Sequence, residues 1–305
     1  MFKQNMKVSY FQMPAPVVLN RIPILGSLVN WFKGDQIVID NPLFRLHHKF
    51  SSFIVMVGLL FIFLENHFDG RVITCRGADS YATSYCWLHG STYVRDHLQG
   101  KATGCFIDQS RLSSEADAPV TAYYLWLPYL LTLALALSKL PRGLWRMLEG
   151  ELVKQILDSS EPETIADNFI KFQPRFGRYH FYLFVCEVLN FIMVGLTVFV
   201  TDIVLNNKFA LYGPEVFKYI WEQKTVNNTH NPMCELFPTE VSCYINIGAT
   251  TGAIDRTHYL CILNNNTFNQ KYFIVLWVWW VFLIGLSFMG LIYRFARILL
   301  PELSR

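Results

Sequence analysis

Four stretches of the chain are apolar for longer than any loop would be: Phe50 to Glu65, Tyr123 to Leu140, Phe181 to Thr201 and Phe273 to Tyr293. A helix of roughly 17–25 such residues crosses a bilayer. The first stretch is the shortest, and its outer end is polar. Each is predicted helical, because a chain in lipid must satisfy its own backbone donors and acceptors. A buried helix of a soluble domain explains one such stretch and explains four poorly. The expected fold class is therefore an all-α membrane protein with four transmembrane helices. Between them lie an N-terminal segment (1–49), loops at 66–122 and 202–272, a middle segment (141–180) and a tail (294–305).

Charge orients these segments. Residues 1–49 carry six Lys and Arg, 139–180 carry seven, and the tail after Tyr293 carries three. The two longer loops, 66–122 and 202–272, carry five each, roughly cancelled by acidic residues. Positive residues favour the cytoplasm, so both ends and the middle segment are expected inside and the two long loops outside. Cysteines agree with this sorting. Cys75, Cys86 and Cys105 fall in the first outer loop, and Cys234, Cys243 and Cys261 in the second; Cys186 lies within the third span. An even six on one side reads as a disulfide framework in an oxidising compartment, with fifteen pairings open. Without C-x-x-C spacing, zinc is not expected. The sequons at Asn227 and Asn265 lie in the second outer loop, where glycans belong.

Composition narrows the classes further. Only 16% of residues are charged, 16% are aromatic, and the formal net charge is +3. Membrane interfaces enrich Trp and Tyr, while no basic tract offers a surface for nucleic acid. No H-E-x-x-H, G-x-S-x-G or phosphate-binding loop is present, so neither an enzyme nor a cofactor is expected.

Two polar stripes run down the helices. Ser51, Gly58 and Glu65, seven apart, share an arc of about 40° on the first helix. They are candidates to face a water-filled pore; equally, Ser51 and Gly58 suit close helix packing, with Glu65 in the headgroup zone. On the third helix, Glu187, Asn190, Thr197 and Thr201 share roughly 80°, which suits interhelical hydrogen bonding. Pro128 is expected to kink the second helix. After Leu140, Leu144, Trp145, Leu148, Leu152 and Ile156 mark an amphipathic helix, with Arg146, Glu149 and Lys154 off its apolar face.

The start of the second span, Tyr123-Tyr124-Leu125-Trp126-Leu127-Pro128, resembles the innexin signature Y-Y-Q-W-x-P, with Leu125 in place of Gln. Other stretches look innexin-like in the same order. They are Asp40-Asn41-Pro42-Leu43-Phe44-Arg45-Leu46-His47, Tyr85-Cys86-Trp87, Pro141-Arg142-Gly143-Leu144-Trp145, Cys186-Glu187, Phe237-Pro238, Cys243 and Cys261-Ile262-Leu263. The resemblance implies a plasma-membrane subunit of a large-pore channel in a ring of identical or related subunits, eight in known innexin structures. The first helix and the N-terminal segment would line the pore. The ring would sit in membrane lipid and either dock on a ring of a neighbouring cell or open to the outside. It also implies crossed disulfides, Cys75 with Cys261 and Cys86 with Cys243, leaving Cys105 and Cys234 as extras. About 20 residues precede the family's usual start, and the chain stops soon after the fourth span, where a longer tail would be missing or trimmed. The competing reading is a poreless four-span adhesion or scaffold protein. Such proteins also bridge their outer loops but lack two outer loops of similar size and the signature above.

Overall fold

The computed structural model describes residues 41–68, 72–89, 92–93, 122–156, 162–222, 231–248 and 254–299. Four helical runs within them are long and apolar enough to cross a membrane: Pro42–Leu64, Tyr123–Glu149, Glu163–Val204 and Asn266–Arg297. All outlast the apolar windows seen in the sequence, because helices continue past the point where their residues turn polar.

The first run is built in three parts. Asn41 is extended, and Pro42 then occupies the opening of α1 (Pro42–Arg45), where its fixed φ suits a helix start. The chain widens through a π-helical turn (Leu46–Phe50) into α2 (Ser51–Phe68). The second span is α4 (Tyr123–Glu149), reached after β1 (Ile73–Cys75), α3 (Ser80–His89) and β2 (Thr92–Tyr93). Pro128 and Pro141 are both inside α4, and the helix runs through them. It ends at Gly150, in the left-handed region at φ +61°, whose N–H returns to the Arg146 carbonyl.

The amphipathic segment expected after Leu140 is thus a continuation of α4, broken at Gly150 and Glu151 and resumed as α5 (Leu152–Ile156). Trp145, Leu152 and Ile156 are buried, as their spacing implies. Glu149 is buried too, because its carboxylate accepts from the N–H groups of Glu151 (2.9 Å) and Val153 (2.8 Å) and so caps α5. α6 (Pro162–Phe172) and a 3-10 turn (Gln173–Arg175) lead into α7 (Phe176–Val204), the third span.

The segment after α7 is structured. Asn206 and Asn207, both left-handed, turn the chain into α8 (Phe209–Glu222), and the Asp202 carboxylate receives the Ala210 N–H at 2.8 Å. Next come α9 (Pro232–Leu236), capped by the Asn231 side chain on the Met233 N–H, then β3 (Glu240–Gly248), β4 (Ile254–Leu263) and the fourth span, α10 (Asn266–Leu299). The four strands form one antiparallel sheet in the order β1-β4-β3-β2. The molecule is mainly helical, and this sheet is an addition to the expected architecture. Val241, Cys243 and Ile245 point inward from β3 while Tyr244 and Asn246 point out, the two-residue alternation of a half-buried strand.

Two cores result. The larger runs from the sheet into the bundle and includes Phe209, Tyr212, Phe237, Phe273, Leu276 and Leu283. The smaller lies at the other end, where Phe44, Trp145 and Cys186 meet, with the Tyr179 ring edge-on to Trp145 at 5.0 Å.

Candidate pore lining and outer face

The cysteine-bearing end is cross-linked across both loops. Cys75 is bonded to Cys261, its direct partner in the β1–β4 register, and Cys86 on α3 is bonded to Cys243 on β3. The sulfurs of Cys75, Cys86 and Cys261 lie within 4.8 Å of one another, but disulfide sulfurs are not thiolates and do not ligate zinc. Cys234 is also disulfide-bonded; Cys105 lies outside the described residues. Among the described residues Cys186 is the free thiol, and it is buried.

The signature tyrosines seat this cross-linked face on the helices. Tyr124 donates from its hydroxyl to the carbonyls of Cys86 (3.2 Å) and Trp87 (3.0 Å), so the first residue pair of the second span holds the end of α3. Tyr123 accepts from Asn266 Nδ2 at 2.6 Å, and the same amide also donates to the Pro238 carbonyl. Phe237, fully buried, has Tyr123, Tyr212 and Phe273 around it at ring separations of 5.5, 6.0 and 4.9 Å. Tyr212 donates to the Gln270 carbonyl at 2.7 Å, and burial pushes its phenol well above the ordinary range, so it stays a neutral donor. Trp126 is different: it is 61% exposed and carries none of this linkage.

Asn265 is only 8% exposed, in the turn that opens α10. Asn227 lies outside the described residues.

The first helix departs from the pore expectation. Ser51 is 4% exposed, and its hydroxyl accepts from the Trp279 indole N–H at 2.9 Å. A Cβ at Gly58 would overlap the Tyr272 ring, whose hydroxyl donates to the Ile54 carbonyl at 3.1 Å. Both residues face α10 of the same subunit, so this part of the stripe is a packing seam. The missing side chain at Gly58 is what lets Tyr272 approach. Glu65 belongs to α2, but its side chain lies outside the described residues. The side of α2 turned away from that seam carries Phe53, Val57, Leu60 and Leu64, all exposed. At 100° per residue this face is centred roughly 140° away from the Ser51–Gly58 seam.

At the opposite end, Glu187 is 4% exposed in its side chain and takes a two-pronged contact from Arg294: Nη2 to Oε1 at 2.6 Å and Nε to Oε2. Asn41 Nδ2 donates to the same Oε1 at 3.1 Å. One carboxylate therefore ties the first, third and fourth spans together. Sequence reasoning found Glu187 but not its partners, since nothing in local spacing links residues 146 and 107 positions away. Thr197 and Thr201 bond carbonyls of their own helix, at Met193 and Thr197, rather than a neighbouring helix. Asn190 borders a void of about 20 Å3 shared with His47, Ser51 and Ser138.

The stretches that look innexin-like are therefore the ones that hold the two ends together. A family model, Innexin, matches residues 40–305. The chain belongs to the innexin family. Innexin inx2 of Drosophila melanogaster is 29% identical over 299 residues, covering 92% of this chain and 80% of that protein. Innexin inx2 of Schistocerca americana is 26% identical, covering 92% and 82%, and innexin shaking-B of Drosophila melanogaster is 26% identical, covering 92% and 80%. Innexins form gap-junction channels from identical or related subunits. This innexin is accordingly a multi-pass plasma-membrane channel subunit and not a poreless scaffold.

Proposed function

We propose that this innexin assembles as a ring of eight, with the disulfide-bearing face outside the cell and the first helix toward the axis. The ring works docked on a second ring or alone as a hemichannel, and passes ions and small molecules. The observation that carries this reading is the outer face. Two loops far apart in sequence are fused by Cys75–Cys261 and Cys86–Cys243, then pinned to the helices by Tyr123, Tyr124 and Asn266. Two rings that meet face to face gain from surfaces ordered in advance, because less freedom is lost on contact. The excess of Lys and Arg on the opposite end supports the orientation.

The pore wall is reassigned from Ser51 and Gly58 to the exposed face at Phe53, Val57, Leu60 and Leu64, with Glu65 at the outer end of the same helix. Single cysteines placed in a Cys186→Ala background test this. Val57→Cys and Leu60→Cys are expected to react with a water-soluble thiol reagent and to change the conductance, while Ser51→Cys stays silent. Reaction at position 51 with silence at 57 and 60 would return the pore to the small-residue stripe.

A further inference from the structure

At the end of the bundle away from the disulfides, a crevice of about 900 Å3 lies between the start of the first span, α7 and α10. Its walls are of two kinds. Phe181, Leu183 and Phe184 of α7 and Leu286 of α10 form an apolar trough. Gly290 lets the start of the first span approach α10: a Cβ there would come within 3.1 Å of the Leu43 side chain. His180, Arg294 and Arg297 stand at the rim. Phe181 is 62% and Tyr293 55% exposed, so the trough opens sideways at the depth where the spans end.

The charges at the rim do not cancel. Glu187 is the carboxylate of the lining, and Arg294 and Asn41 already engage both of its oxygens. Arg294 uses Nε and Nη2 in that contact, which leaves Nη1 outside it. Arg297 lies over the Tyr293 ring at 5.0 Å, and among the described residues no second carboxylate lines the crevice. A planar guanidinium suits phosphate oxygens. A soluble anion would satisfy Arg297 but leave the trough empty. A zwitterionic lipid would fill the trough but bring its own cation to a rim that is already positive.

We propose that this crevice binds an anionic phospholipid, with the phosphate at Arg297 and the outer edge of Arg294 and an acyl chain along Phe184 and Leu286. The leaflet is the cytoplasmic one, the leaflet that carries anionic lipid; this assignment rests on the orientation proposed above.

The test uses the purified full chain in nanodiscs with a trace of photoreactive phosphatidylserine or of a phosphatidylcholine probe with the same acyl chains. The serine probe is expected to label peptides containing Phe184 or Leu286 several-fold more than the choline probe. Arg297→Gln should bring its labelling down to the choline level, while Arg178→Gln, exposed on α7 but outside the crevice, leaves it unchanged. Equal labelling by the two probes overturns the proposal, as does labelling indifferent to Arg297→Gln. So does full competition by soluble glycerophosphoserine, which would mean an anion site without a lipid, or a cross-link at those positions to another stretch of protein. If Arg297→Gln fails to assemble into rings by particle imaging, Leu286→Trp replaces it. That variant fills the trough and keeps the guanidinium, so the serine-probe labelling should fall to background, and persistence overturns the proposal. The readout needs no current, so it is independent of conduction. Protease access to residues 294–305 in sealed vesicles reads the orientation separately.

Discussion

Replacing Arg294 by Met should damage this protein far more than replacing its partner. The pair is asymmetric: the Glu187 side chain is 4% exposed and that of Arg294 is 26%. Without the guanidinium, a buried carboxylate keeps only the Asn41 N–H. Stripping a buried charge of its counter-ion costs on the order of 3–5 kcal/mol. Glu187→Gln leaves instead a cation that already reaches the surface and can extend to the headgroups. Its cost is the lost charged hydrogen bonds, about 1.5–3 kcal/mol. The double variant Glu187→Leu/Arg294→Met removes both charges, and such replacements come out within about 1–4 kcal/mol of neutral, often on the stabilising side. Purified protein in detergent would be heated and its loss of rings followed by size exclusion. At roughly 2–4 °C per kcal/mol for a protein above 150 residues, Arg294→Met should lower the midpoint on the order of 10 °C. The double variant should recover most of that loss. If the double variant falls by the sum of the two single losses, the groups are not coupled and the three-span tie is not what holds this end together.

Three further outcomes are expected. Glu65→Gln should reduce cation preference, most clearly at low salt where screening is weakest; an unchanged reversal potential in a salt gradient removes Glu65 from the selectivity of the outer mouth. Peptide mapping without reduction should recover Cys105 joined to Cys234, a link worth on the order of 4 kcal/mol in the chain-entropy model, and an alkylated free thiol at Cys105 would refute it. If Asn227 carries sugar, Asn227→Gln should raise junctional coupling in paired cells while single-cell currents persist, because a hydrated glycan there would keep outer faces apart; equal coupling, with the glycan confirmed on the wild type, places the site off the docking surface.

What the sequence revealed depended on whether the signal was local. The spans were legible because apolar length is a one-dimensional property. The sorting of cysteines was legible for the same reason, whereas their crossed pairing came only from the family resemblance. The direction of the Ser51–Gly58 stripe was not legible. Small residues suit a pore wall and a helix seam alike, and only the position of Tyr272 and Trp279, more than 200 residues on, decides between them. The strand alternation at Val241, Cys243 and Ile245 was present but short, and it sat in a loop read for its cysteines. The sequon at Asn265 could not report its own burial, which comes from the packing of the turn into α10.

The two disulfides also set an order of events in biosynthesis. Cys75 waits for a partner 186 residues later and Cys86 for one 157 residues later. At about 5–20 residues per second, that is roughly 10–40 s during which the first loop holds reduced thiols beside an unfinished chain. By the time Cys243 and Cys261 emerge, the first three spans have been synthesised. Oxidation of both bridges therefore certifies a chain made at least as far as Cys261, and a nascent subunit stalled before β4 cannot present a closed outer face to a neighbouring cell.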